Sequence, residues 1–431
     1  MSELQEGQII QTKGFVPVKV LEQLGEGGQG IVYKADYGGK QKALKWYFKN
    51  KMKNPEKFYD NIKNNIDHGA PTDAFLWPED ITEWLDGTFG YIMPLRPPEY
   101  EDFSKYLLAK VRFKSLRTLI NTALNIVEGF AALHREGYNY QDLNDGNFFV
   151  NFDTGDVLIC DNDNVMGHGY NSGIAGKCRY MAPEVVTHDK LPDKQTDRFS
   201  LAVVLFLLLF GNHPLEGKAT NPPCLTEELE KKYYGTDPVF ILDPVNKDNI
   251  PIRGIHKSVI AKWPLYPQYI RDIFIEVFGY EQLHGREPRV MEKVWLETFI
   301  RLRSEIVPCS CGGENFADPT KGVTCSRCGK QINVPAYLKF EKLNVPLYPA
   351  MNLFACHTVS DSEDFKTSTA EVIVSKNNPG NMGIRNLSDV TWYVTGADGV
   401  QAPRAKGEVL KIASGLSINF GKNLIAEIVG N

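Results

Sequence analysis

Hydrophobic and polar positions change their period several times along this chain. Residues 14–94 carry short Val, Tyr and aromatic runs broken by Gly38-Gly39 and Asp86-Gly87, and they predict a strand-rich segment. One helical interruption is expected inside it, from Pro55 to Ile66, ahead of the run Phe75-Leu76-Trp77-Pro78. From Ser115 the apolar spacing becomes three and four, so LRTLINTALNIVEGFAALHREG reads as an amphipathic helix stopped by Gly137. The runs FFV (Phe148–Val150) and VLI (Val157–Ile159) predict short strands. Leu201 to Phe210 is apolar throughout but too short to span a bilayer, and reads as a fully buried helix. Tyr269–Phe278 and Arg289–Arg303 return to amphipathic spacing. Residues 212–265, rich in Pro and Asn, are long for one loop and are expected to hold local structure of their own. From Val345 onward, short alternating runs (AEVIVS, TWYVTG, EVLKIA, LSINFG, LIAEIV) lie between Gly, Asn and Ser turns. They predict a small antiparallel sandwich of about ninety residues.

At 431 residues the chain exceeds one ordinary core, and two or three domains are expected. Its 42% hydrophobic and 23% charged residues are those of a globular protein, and a net charge of -5 gives no electrostatic footprint for nucleic acid. MSELQEGQII lacks the basic start and apolar run of a signal peptide. Of eight cysteines, Cys160, Cys178, Cys224 and Cys356 are scattered, whereas Cys309, Cys311, Cys325 and Cys328 cluster. That pattern suits a cytoplasmic, reducing environment and one metal site instead of a disulfide framework. Thirteen residues separate Cys309-Ser-Cys311 from Cys325-Ser-Arg-Cys328. Two close thiolate pairs on facing turns supply the tetrahedron of sulfurs that zinc prefers, and with no open position the site would be structural. Gly312-Gly313 and Gly329 permit the tight turns.

Candidate chemistry gathers in the first three hundred residues. Gly25-Glu26-Gly27-Gly28-Gln29-Gly30 follows an apolar segment and leads into IVYKA. Glycines let backbone amides approach phosphate oxygens, and the β-branched residues that follow argue for a hairpin, not the helix of a dinucleotide loop. Taken alone, the motif is as well read as a glycine-rich β-turn. Lys45 stands in an apolar strand, where a lysine ordinarily snorkels to solvent. Asp142 precedes Asn147 by five residues, and fourteen residues further VLICD ends in Asp161. Singly these are common turn formers. Downstream, MAPE ends at Glu184.

In this order and spacing, residues 14 to about 303 resemble the eukaryotic-type (Hanks-type) serine/threonine protein kinases. The chain looks most like a bacterial branch with an FLWP strand, GNFF, a CDNDNV metal loop and a PVFI insertion. The resemblance implies a multidomain α+β chain: a kinase N-lobe over 14–94, a C-lobe over 95–303, a zinc ribbon over 308–332 and a forkhead-associated-like β-sandwich over 340–431. It implies that ATP is bound by Leu24, Gly25, Gly27, Gly30, Val32, Lys45, Met93 and Leu95. Asp142 would be the base, with Asn147 and Asp161 holding magnesium or manganese and Asp163 a spare carboxylate. Lys45 needs an acid from the next helix: Glu56, Asp60 or neither. Glu184 would pair with Arg289, and Asp197, opening the DRFSL helix, would tie down the catalytic loop. Three departures stand out. Gln141 replaces the loop arginine, Asn144 replaces the lysine that usually touches the γ-phosphate, and Lys177 stands where threonine is common. The activity implied is transfer from ATP to Ser/Thr hydroxyls of a protein substrate, and the alternative is a pseudokinase scaffold. In that branch, similar kinases accompany a metal-dependent protein phosphatase and a von Willebrand factor A-like protein in tellurite-resistance or stress clusters. Neither nucleic acid nor membrane is an expected partner.

Overall fold

The computed structural model describes residues 3–52, 54–167, 176–377 and 380–430. Residues 168–175, most of the expected loop between Asp161 and Glu184, therefore lie outside the described residues. The chain forms two compact units, one of residues 1–114, 125–264 and 268–292, the other of 115–124, 265–267 and 293–431.

In the first unit, β1 (Ile9–Gln11), β2 (Pro17–Glu26), β3 (Gly30–Tyr37), β4 (Lys40–Tyr47), β5 (Asp80–Ile81) and β6 (Gly90–Met93) make one sheet, ordered β1-β2-β3-β4-β6-β5 with antiparallel neighbours. The two-residue period of a strand divides its side chains between two cores. Val18, Val20, Ile31, Tyr33, Leu44 and Trp46 pack on one face. Ala43, Tyr47, Tyr91 and Met93 pack on the other, against Tyr59 and Ile62 of α1 (Pro55–His68). Lys45, between Ala43 and Tyr47 in this alternation, falls on the second face. Cross-strand register sets Val32 and Tyr91 on either side of it. Helix α1 begins with Pro55 in its first turn and stops at Gly69, whose φ is 82°.

The expected FLWP strand is a pinned loop instead. Phe75 makes only a lone bridge to Ile159, Leu76 donates its amide to the Ile159 carbonyl (2.8 Å), and the Trp77 indole donates to the Asn65 carbonyl (2.9 Å). Pro78 has no amide to continue a ladder, which is why the run ends after so few residues.

Strands Glu101–Asp102, Phe148–Val150 and Val157–Ile159 form a three-stranded sheet in which Phe148–Val150 is central. The helix Lys194–Phe210 is capped by Asp193, whose carboxylate accepts from the Gln195 (2.9 Å) and Thr196 (3.0 Å) amides. It therefore opens a turn before Asp197, the expected first residue, and that leaves Asp197 inside the helix where it faces the loop Tyr140–Asn147. Leu201 to Phe210 are all buried. No helix among the described residues is long and apolar enough to cross a membrane. Residues 212–265 hold the short helix Glu227–Lys231, which runs into a π-helical turn at Lys232–Thr236, and the short helix Lys257–Lys262.

In the second unit, hairpins Ile306–Pro308/Glu314–Phe316 and Val323–Thr324/Gln331–Ile332 each carry one cysteine pair at or next to the turn. Beyond them a six-stranded and a four-stranded sheet share one core, built on Leu338, Val345, Leu353, Val372, Ile384, Trp392 and Ile428. The sandwich begins at Ala336–Lys339, ahead of the expected residue 340, because that four-residue strand pairs with both Asn344–Leu347 and Ile425–Gly430. The unit also takes in most of the helix Glu292–Ser304, short of the expected limit at 303. Its Arg303 donates to the Phe365 carbonyl (2.7 Å) and sits over the Phe354 ring (4.3 Å), so side chains of the sandwich hold the helix end.

Candidate active site

Lys45 is 6% exposed. Its Nζ lies 2.7 Å from Asp163 Oδ2 and 3.1 Å from Asp161 Oδ1. Burial works against the ammonium, but the two carboxylates outweigh it and hold the charge well above the ordinary lysine value. The Tyr47 hydroxyl also donates to Asp163. Glu56 and Asp60 are both exposed, so neither candidate acid of α1 is the partner of Lys45. The helix presents amides in their place: Asn61 and Asn65 donate to the Val165 carbonyl at 3.0 and 3.1 Å. Asp163, read from the sequence as spare, is the fully buried anchor of the lysine. Tyr47 was also missed, although its place two residues after Lys45 puts it on the same face.

The loop from Tyr140 to Asn147 is held from below. Asp197 Oδ2 and Oδ1 accept the Tyr140 (2.6 Å) and Gln141 (3.0 Å) amides, and His134 Nε2 lies 3.1 Å from Asp197 Oδ2. His134 Nδ1 meets Glu292 Oε1 at 2.7 Å. Burial lowers the His134 pKa, but hydrogen bonds to Asp197 and Glu292 carry it above the usual histidine value. The Tyr140 hydroxyl donates to the Cys160 carbonyl, and the Cys160 amide donates to the Asn147 carbonyl (2.9 Å), so the two aspartate-bearing segments are laced together. Gln141 and Asp161 adopt left-handed φ values of 69° and 57°, a backbone strain that elsewhere collects at functional positions.

Asp142 is half-buried. Burial and the nearby Asp161 charge push its carboxyl up to about 6, against the opposing pull of Lys177. The buried Asn147 accepts the Asn144 amide on Oδ1 (2.6 Å), which leaves that oxygen a second lone pair. Asp161 is the more open of the two lysine-bound acids, its side chain 47% exposed. Arg289 Nη2 lies 2.9 Å from Glu184 Oε2.

Val32, Met93 and Leu95 join one apolar cluster with Ala43, Phe149 and Leu158. Phe149, read from the sequence only as part of the short strand FFV, was not among the expected nucleotide contacts. Leu24, near the end of β2, is 48% exposed. The glycines divide by cause. A Cβ on Gly30 would come within 2.1 Å of the Trp46 carbonyl oxygen, so β4 itself excludes a side chain there. At Gly25 and Gly28 a Cβ meets nothing within 4 Å, and at Gly27 only the Gly30 oxygen at 4.0 Å. Gly25→Ala is therefore expected to leave the melting temperature within about 2 °C of the parent, whereas Gly30→Ala lowers it by several degrees. A parallel thermal melt of both variants checks this.

The four clustered cysteines bring their Sγ atoms within 4.8 Å of one another. Cys309–Cys328 and Cys311–Cys325 are each 3.7 Å apart, too long for a disulfide and close to the roughly 3.8 Å edge of a tetrahedron with zinc–sulfur bonds of about 2.3 Å. Gly312 and Gly329, at φ 79° and 72°, turn the two knuckles.

The model of the protein kinase domain matches residues 18–234, half of the chain, which contain Lys45, Asp142, Asn147, Asp161 and Asp163. The chain belongs to the protein kinase family. It is 33% identical over 105 residues to the serine/threonine-protein kinase STY46 of Arabidopsis thaliana, covering 23% of this chain and 18% of that protein. It is 27% identical over 220 residues to the probable serine/threonine-protein kinase gdt4 of Dictyostelium discoideum, covering 48% of this chain and 13% of that protein. With the protein kinase C delta type of Mus musculus it shares 31% over 120 residues, 27% of this chain and 17% of that protein. The chain thus spans less than a fifth of the length of these relatives.

Proposed function

We propose that this chain transfers the γ-phosphate of ATP to serine or threonine hydroxyls of a protein substrate. One observation carries the reading: the Lys45 ammonium and the Asp161 carboxylate, 3.1 Å apart, meet beside the loop that bears Asp142 and Asn147. Lys45 would grip the α- and β-phosphates, and Val32, Met93 and Leu95 offer an apolar bed for the adenine under Leu24. Asn147 and Asp161 supply hard oxygen donors that suit magnesium or manganese, which when bound neutralises phosphate charge. Asp142 takes the proton of the substrate hydroxyl as that oxygen attacks in line. Similarity to serine/threonine kinases supports the choice of acceptor.

In this reading residues 14–94 and 95–303 are the two kinase lobes, 308–332 a zinc ribbon and the tail from 340 a forkhead-associated-like module for protein partners. A phosphatase and a von Willebrand factor A-like protein are the partners that the resemblance suggests, in the cytoplasm. The donor set of four sulfurs fits structural zinc. Metal analysis is expected to find one zinc per chain, and Cys311→Ser with Cys325→Ser is expected to remove it entirely. The doubly substituted protein should lose the cooperative melt of its second unit; zinc retained at full occupancy would contradict the assignment.

The function is tested with purified protein, γ-labelled ATP and magnesium. Label on serine or threonine of the chain or of an added protein acceptor supports the kinase. Tight nucleotide binding with no label on any acceptor supports the pseudokinase, the reading that the missing loop arginine and lysine favour.

A further inference from the structure

Residues 143–147, the loop after Asp142, carry no cation of their own. Position 144 is an asparagine, and it is buried. Its Nδ2 donates to the Asp142 carbonyl (3.0 Å) and reaches Asp142 Oδ1 (3.4 Å). Its Oδ1 accepts from the Gly146 amide (3.0 Å) and from Lys177 Nζ (2.8 Å). Lys177 therefore delivers an ammonium to the place where the loop lacks one. The same residue donates its backbone amide to the Asp142 carboxylate. Lys177 Nζ also lies 3.8 Å from Asp145 Oδ1, and its side chain remains 58% exposed, so the charge is not consumed in a buried pair. A Cβ at Gly146 would press on Asn144 Oδ1 at 3.1 Å, the oxygen on which the ammonium docks. Lys45, held by Asp161 and Asp163, is the cation already assigned to the α- and β-phosphates.

The two side chains are complementary. Asn144 brings no charge to the loop and offers a carbonyl oxygen. Lys177 brings a charge from the neighbouring segment and docks on that oxygen. We propose that Lys177 is a catalytic residue, the cation that meets the γ-phosphate of ATP beside Asp142. This rests on the kinase reading above. In the step, the substrate oxygen forms the new bond to phosphorus while its proton passes to Asp142. The bond from phosphorus to the β,γ-bridging oxygen breaks, and ADP leaves with the electron pair. Lys177 keeps its proton throughout and stabilises charge on the transferring oxygens, a role that preorganised donors fill at low cost in reorganisation.

Because the ammonium rides on a different segment from the base, Asp142 and its cation come together only when residues 176–177 lie on the loop.

Three variants test this beside the parent chain: Lys177→Met, Lys177→Arg and Lys177→Met combined with Asn144→Lys. Transfer from ATP with magnesium to a protein acceptor gives kcat and the KM for ATP; ADP affinity and melting temperature are measured on the same samples. Lys177→Met is expected to lower kcat about a hundredfold, with ADP affinity and melting temperature held. Lys177→Arg should keep a substantial part of the rate. Returning a lysine at 144 should recover at least tenfold over Lys177→Met. Parental kcat in Lys177→Met overturns the proposal while leaving the kinase reading intact. So does a folded double variant with no recovery. Absence of transfer by the parent chain, despite bound nucleotide, overturns both.

Discussion

Asp142→Asn is expected to lower kcat by about two to four orders of magnitude, the usual worth of a positioned general base, without unfolding the chain. Asparagine keeps the size of the side chain but carries no negative charge to draw the proton from a substrate hydroxyl. The backbone that positions residue 142 is fixed independently, because Asp197 holds the two preceding amides and Tyr140 is tied to Cys160. The parent protein should also show the base in its pH profile. Burial and Asp161 push the Asp142 carboxyl up to about 6. Only the ionised form accepts a proton, so kcat/KM should fall roughly tenfold per unit as pH drops below about 6 and level off above it. Asp142→Asn should lose that inflection together with its rate. A variant that transfers phosphate at the parental rate with the same profile would remove Asp142 from the mechanism.

Asp163→Asn is expected to destabilise the first unit by about 3 kcal/mol, the lower end of the cost of breaking a buried ion pair. The carboxylate is wholly buried and meets both Lys45 and Tyr47; its loss leaves Lys45 with the half-open Asp161 alone. The lower end applies because that second partner remains. Activity should fall as well, since the lysine loses the anchor that fixes its direction. Glu56→Gln and Asp60→Asn, both at exposed positions of α1, should each stay within about 0.5 kcal/mol of the parent and keep its rate. Urea unfolding with parallel transfer assays decides the matter. An inactive Glu56→Gln beside an unaffected Asp163→Asn would return the role to the helix.

Much of the cleft was legible because its parts are local. A glycine-rich turn, a lysine two residues from other apolar positions, and an aspartate and asparagine five apart each rest on neighbours in the chain. The parts that were not legible depend on contacts over long separations. Asp163 looked like a solvated companion of Asp161, yet Lys45 reaches it across 118 positions. Lys177 stood out only as a departure from threonine, and its meeting with Asn144 spans 33 positions. Gly30 looked like another phosphate glycine; the carbonyl of Trp46 on the next strand is what excludes its side chain.

Hydrophobic periodicity alone determined the strand-rich start, the buried helix of Leu201–Phe210 and the alternating strands of the tail, since each face must be buried by the chain that carries it. Residue spacing alone determined the four-sulfur cluster, because ligand pairs two and three residues apart share a turn. Which acid holds Lys45 and which cation meets Asn144 were decided by the tertiary structure. A buried charge takes the opposite charge that folding brings within about 3 Å, and no local pattern encodes that distance.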